Sequence, residues 1–133
     1  MPPERGPGSP AEWLARARSD LAIARLPLPE DGRYEDLCLH AQQAAEKALK
    51  AVYRAADWRF RYTHNLGQLL DGLERNGVTV PDGVRAAIVL TEYAHQTRYP
   101  GGSEPVTEAE HARTVELATA VVAWASKRIR GSA

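Results

Sequence analysis

Apolar residues along the chain recur at intervals of three and four, the period of an amphipathic helix. Trp13, Ala17, Leu21 and Ala24 form the first such stripe. Ser9-Pro10-Ala11-Glu12 precedes it as a capping box with proline at the first helical position, and Pro27 and Pro29 end it. After the Asp31-Gly32 turn a second helix is predicted from Arg33 to Ala56. Leu37, Ala41, Ala44, Ala48, Val52 and Ala55 make one face, which Cys38, Ala45 and Leu49 widen. No proline or glycine interrupts it after Gly32, so it should be the central, most buried helix, with Gln43, Glu46, Lys47 and Lys50 on its polar edge. Thr63 is the expected cap of a third helix, with Leu66, Leu69, Leu70 and Leu73 inward and Asn76-Gly77 as a left-handed stop. Val78-Thr79-Val80 is apolar enough for a strand but has no partner segment, so it reads as a linker. Asp82 should cap a fourth helix, with Val84, Ala87, Ile88 and Thr91 inward and a break at Pro100-Gly101-Gly102. A second capping box, Thr107-Glu108-Ala109-Glu110, opens a fifth helix with Val115, Ala118, Val122, Ala125 and Ile129 on one face. Leu117, Val121 and Trp124 lie on a neighbouring face, and this second apolar face suggests contact with another subunit.

Composition supports this reading. Of the 133 residues, 22 are alanine, the strongest helix former and a small side chain that lets helices approach closely. The expected class is all-α: a bundle of four to five helices over residues 10–130, preceded by a flexible tail, residues 1–9, that holds three prolines and two glycines. A 44% hydrophobic content is enough to build a core. No apolar run reaches the roughly 18–20 residues of a membrane span, and the first residues hold no apolar stretch of the kind a secretion signal needs. Cys38 is the single cysteine, which excludes a disulfide framework within one chain and a cysteine-rich zinc site. The expectation is a soluble, cytoplasmic protein with no membrane partner.

Seventeen basic residues balance seventeen acidic ones, which argues against a protein that coats nucleic acid with its whole surface. The balance is uneven, however. Between Lys47 and Arg61 stand five basic residues (Lys47, Lys50, Arg54, Arg59, Arg61) and one acid, Asp57. Trp58, Phe60 and Tyr62 alternate with them, and basic and aromatic groups together suit phosphate contact plus base stacking. The same pattern fits a solvated loop, residues 57–62, whose aromatic rings pin it to the bundle.

The four histidines, His40, His64, His95 and His111, contain no pair three or four residues apart, so no metal site is expected. His40 beside an apolar face and His64 after the cap read as structural, His111 as solvated, and Cys38 as packing. His95, Arg98 and Tyr99 stand at i, i+3 and i+4, which on a continued helix share a face. Imidazole moves protons near neutral pH and guanidinium grips phosphate, so this trio could hold or cleave a phosphodiester without metal. Alternatively, Arg98 bonds the last helix carbonyls or Glu92, and Tyr99 packs the turn. Neither a phosphate-binding P-loop nor a dinucleotide-binding glycine motif is present, so no cofactor is expected.

The stretch His40-Ala41-Gln42-Gln43-Ala44-Ala45-Glu46-Lys47-Ala48-Leu49-Lys50-Ala51 resembles the signature second helix of HEPN-domain proteins. Trp13-Leu14 and Asp20-Leu21 resemble the usual first helix. Thr63-His64-Asn65-Leu66 with Leu69-Leu70, then Tyr93, Arg98-Tyr99-Pro100 and Glu108-Ala109 follow in the family's order, so the resemblance covers roughly residues 11–130. It implies an antiparallel up-down bundle that usually dimerises. Members of this Arg-Tyr-Pro type often pair with a minimal nucleotidyltransferase in a two-component toxin–antitoxin system. Many HEPN proteins are metal-independent ribonucleases carrying Arg-x(4–6)-His near the start of the last long helix. This sequence departs from that pattern: no histidine follows Arg98 at the required spacing, and Arg59-x4-His64 lies before helix three.

Three functions follow. The first is a non-catalytic HEPN module, a homodimer that binds a nucleotide or RNA phosphate through Lys47, Lys50, Arg98 and Tyr99 and partners a nucleotidyltransferase. The second is a divergent endoribonuclease using His95, Arg98 and Tyr99 at a dimer cleft. The third is a purely structural dimerisation scaffold.

Overall fold

The computed structural model describes residues 8–60, 62–95 and 104–131. Pro10–Ala24 forms α1, whose first turn is capped by Ser9 Oγ accepting the Glu12 N–H at 3.1 Å. Tyr34–Ala55 forms α2, Leu66–Arg75 α3, Asp82–Arg85 the short α4 and Glu108–Gly131 α5. Between α4 and α5, Ala86–His95 winds as a 3-10 helix. The result is an antiparallel up-down bundle, with no strand among the described residues. Val78 and Val80 are buried parts of a linker.

Helix α2 is the axis, in contact with α1, α3, the 3-10 helix and α5. Ala41, Ala44, Ala45 and Ala48 are fully buried, and their small side chains let α1 and α5 close in on both flanks. Leu66, Leu69, Leu70 and Leu73 of α3 are also buried, each contributing roughly 1.5–3 kcal/mol through removal from water. Gly77, with φ 89°, ends α3 in the left-handed conformation, and the Val78 N–H returns to Leu73 O at 3.0 Å.

Several local expectations change. The cap of α3 is Asn65, whose side chain accepts from Gln68 N; Thr63 supports it by accepting from Asn65 N and donating to Gln68 Oε1. Pro81, not Asp82, occupies the capping position of α4. From Val84 of α4 onward the buried residues are Val84, Ala87, Leu90 and Tyr93, a strict interval of three, while Ile88 is 41% exposed. A 3-10 helix has three residues per turn, so inward positions repeat at i+3 rather than i+3/i+4. Leu117 and Val121, the second apolar face of α5, are buried inside the single chain, and Trp124 packs against the same core. That face is therefore covered by the bundle itself. No helix among the described residues is long and apolar enough to cross a membrane.

Candidate functional site

Two buried carboxylates organise the contact between α1, α2 and the segment before α3. Asp20 of α1 receives Lys47 Nζ of α2 at 2.6 Å on one oxygen, and His40 Nδ1 lies 3.0 Å from the other. Glu46 of α2 receives Lys50 Nζ at 2.7 Å and Gln42 Nε2 at 3.0 Å, with His64 Nδ1 at 2.9 Å. Gln42 also donates to the His64 carbonyl at 3.2 Å, tying the segment before α3 to α2. Helical spacing makes this possible: 42, 46 and 50 are successive i+4 positions on one face.

Lys50 and Glu46 are both buried, with side chains 5% and 7% exposed. Burial raises the Glu46 pKa, but hydrogen bonds from Lys50, His64 and Gln42, together with the Lys50 charge, outweigh it and hold the carboxyl below the usual glutamate value. The folded state therefore binds fewer protons than the unfolded chain near that value, so stability rises with pH there. The contribution should be complete above an ordinary glutamate pKa of about 4.3 and be lost as pH falls through the depressed one. Thermal melts between pH 3 and 6 should show this loss in the wild type, and Glu46→Gln should flatten it.

The rings of Trp13, Phe60 and Tyr62 surround Lys50, with centroids 5.7, 5.3 and 5.9 Å from Nζ. Trp58 and Phe60 are half-buried against Tyr53 and pin their segment to the bundle. Tyr62 is different: 93% exposed, it leaves one ring face open beside His64. Trp13 also walls a cleft of about 320 Å³ together with Gly8, Glu12, Arg16 and Lys47. Its indole Nε1 is buried without a hydrogen-bond partner among the described residues.

The structure thus sorts the sequence-derived candidates. Lys47 lines the cleft at its junction with Asp20. Lys50 lies beneath the aromatic rings rather than on the polar edge expected of it, and Glu46 and Gln42 are buried with it. The local basic excess shrinks accordingly, because Asp20 and Glu46 pair two of its five cations from outside the counted window. Arg59 lines a separate small cavity with Arg75, whereas His64 turns to Glu46. Arg61, Arg98, Tyr99 and the side chain of His95 lie outside the described residues, as do residues 1–7 of the expected tail and the Pro100-Gly101-Gly102 break. His111 is not solvated: it stacks on Tyr34 with centroids 5.0 Å apart and its Nε2 lies 2.7 Å from Ala24 O at the end of α1. No cluster able to hold a metal ion occurs among the described residues. Asp20 was missed as a site residue, although it is an acid on the otherwise apolar side of α1 and part of the Asp20-Leu21 pair in the family resemblance.

Comparison with known proteins places this architecture. The family model described as HEPN domain matches residues 10–129. The chain belongs to the HEPN domain family. Among solved structures it is similar to TT1696 from Thermus thermophilus, with a TM-score of 0.76 and 33% identity over 89% of this chain and 96% of that one. It also shares its fold with ST0689, an archaeal HEPN homologue, with a TM-score of 0.74 and 23% identity over 92% of this chain and 98% of the other. No curated protein is matched.

Proposed function

We propose that this HEPN module binds a nucleotide or an RNA phosphate without catalysing a reaction by itself, as a homodimer and as the partner of a minimal nucleotidyltransferase in a toxin–antitoxin-like pair. The observation that carries the binding reading is the open Tyr62 ring facing the same Lys50 ammonium as Trp13, the wall of the Lys47 cleft. Tyr62 offers a stacking surface for a base, while Lys47, held by Asp20, and Arg16, paired with Glu12 at 3.2 Å on the surface, are the cations that a phosphate at the cleft would draw on. Lys50 supports the platform from below, through its contacts with the rings. Arg98 and Tyr99 complete the proposed ligand set. Non-catalysis is supported by the absence of a histidine at the ribonuclease spacing after Arg98.

Titration of the full chain with labelled ATP and with a short labelled RNA tests this reading. Stacking on an aromatic side chain contributes about 1–3 kcal/mol per base, so Tyr62→Ala should weaken binding by roughly 5- to 150-fold. Lys47→Ala and Arg98→Ala should weaken it as well. Co-expression with a minimal nucleotidyltransferase should yield a co-purifying complex, and sedimentation of the chain alone should give twice the monomer mass. Absence of binding to both ATP and RNA at millimolar ligand overturns the binding reading.

A further inference from the structure

Arg18 of α1 and Arg25, the residue that caps its end, lie some 140–160° around the helix from Asp20, at 100° per residue, and so face α5 rather than the Lys47 cleft. The groove between α1 and α5 has a volume of about 440 Å³. Three arginines line it, each resting on a neutral hydroxyl. Arg18 Nη2 donates to Ser126 Oγ at 2.8 Å, and Arg130 Nη1 donates to the same oxygen at 3.0 Å. Arg25 Nη2 donates to Thr119 Oγ1 at 3.1 Å, while that hydroxyl gives its own proton to Val115 O. Ser126 is buried, so it fixes where the two guanidiniums converge.

None of these three arginines has an ion-pair partner among the described residues. This contrasts with Lys47 and Lys50, each satisfied by a carboxylate. No acid follows Glu116 on α5, and the single acid on α1 after Glu12 is Asp20, engaged by Lys47 and His40. Like charges drawn to one hydroxyl without a carboxylate leave a concentrated positive field and unused guanidinium donors. Arginine forks of this kind match phosphate oxygens.

The spacing selects the ligand. Arg18 and Arg25 are seven residues apart, as are Ser126 and Thr119, and a rise of 1.5 Å per residue separates the two charged centres by about 10 Å. The phosphates of one nucleotide sit too close together to engage both centres, whereas a polynucleotide repeats its charge along a line. The floor between the centres is apolar, with Leu21 and Val122, and offers no donor or acceptor to read a base edge.

We propose that the α1–α5 groove is a second, sequence-independent binding surface for the sugar–phosphate backbone of a nucleic-acid strand. It goes beyond the Lys47 and Tyr62 reading and does not depend on it.

The test is anisotropy of end-labelled single-stranded 20-mers, RNA and DNA of one mixed sequence, titrated with the full chain at 50 to 200 mM salt. Three phosphate contacts should contribute about −2 to the salt slope, a loss of roughly 20-fold in affinity over that range. Arg18→Gln/Arg25→Gln/Arg130→Gln should reduce the slope by about 2 and remove the affinity those contacts supply, while ATP binding stays as in the wild type. Lys47→Ala, which removes a contact of the other site, should leave the arginine contribution in place, so that the triple change made on that background still lowers the slope by about 2. Equal affinity for the two strands assigns recognition to the shared backbone, and tighter RNA binding adds a 2′-hydroxyl contact at the same groove. A folded triple variant, checked by circular dichroism, that retains wild-type affinity and slope overturns the proposal. A wild-type slope near zero overturns it without any variant. Loss of ATP binding alone refutes only the Lys47 and Tyr62 reading.

Discussion

Glu46→Ala is expected to destabilise the fold by about 3–5 kcal/mol, because it leaves the buried Lys50 ammonium with aromatic faces and no counter-charge. The pair lies where α2 meets α1 and the segment before α3, so the loss reaches beyond one ion pair. Gln42 and His64 also lose their shared acceptor. Lys50→Met should cost less, since Glu46 keeps His64 and Gln42 as partners. Replacing both with Leu and Met should recover most of the stability, because a well-packed apolar pair avoids the desolvation of both charges. Urea melts of the three variants and the wild type measure this order directly. A Glu46→Ala loss below about 1 kcal/mol would place the pair in the range of surface ion pairs and contradict its description as buried.

Gly72→Ala is expected to cost about 2–4 kcal/mol, the sum of overpacking and a displaced buried hydrogen bond. Tyr53 Oη donates to Leu69 O at 2.6 Å and lies directly against Gly72, where a Cβ would collide with the hydroxyl. The ring cannot simply withdraw, because Trp58 and Phe60 pack edge-on against it. Displacing Tyr53 would therefore disturb the segment that leads to Tyr62. Tyr53→Phe removes the hydroxyl that the new methyl meets, so the double variant Tyr53→Phe/Gly72→Ala should be more stable than Gly72→Ala alone. Thermal melts of the double-mutant cycle test this; additive losses would mean that the two groups do not meet.

Helix stripes and caps were legible because they are local. Ser9, Thr107 and Gly77 announce the ends of helices in residue types whose side chains or backbone freedom suit those positions. The interval-of-three packing from Val84 to Tyr93 was not legible, since Val84 and Ala87 fit both helical periods and the choice is made by tertiary contact. The site was harder to read. Charge along the chain marks Lys47 and Lys50 as a basic region, but their counter-charges, Asp20 and Glu46, are set by packing and helical register. The arginine groove joins residues 94 and 108 positions apart, so no local window contains it. Tyr62 and Phe60 look alike in sequence, and only the fold decides that one packs inward and the other stays open.

The most direct measurement of the central claim incubates a labelled RNA with the purified chain in EDTA, follows binding by anisotropy and then examines the RNA on a denaturing gel. The expected result is saturable binding, weakened by Tyr62→Ala and Lys47→Ala, with the RNA recovered at full length. No binding at any protein concentration, or fragments that disappear with Arg98→Ala, would contradict it.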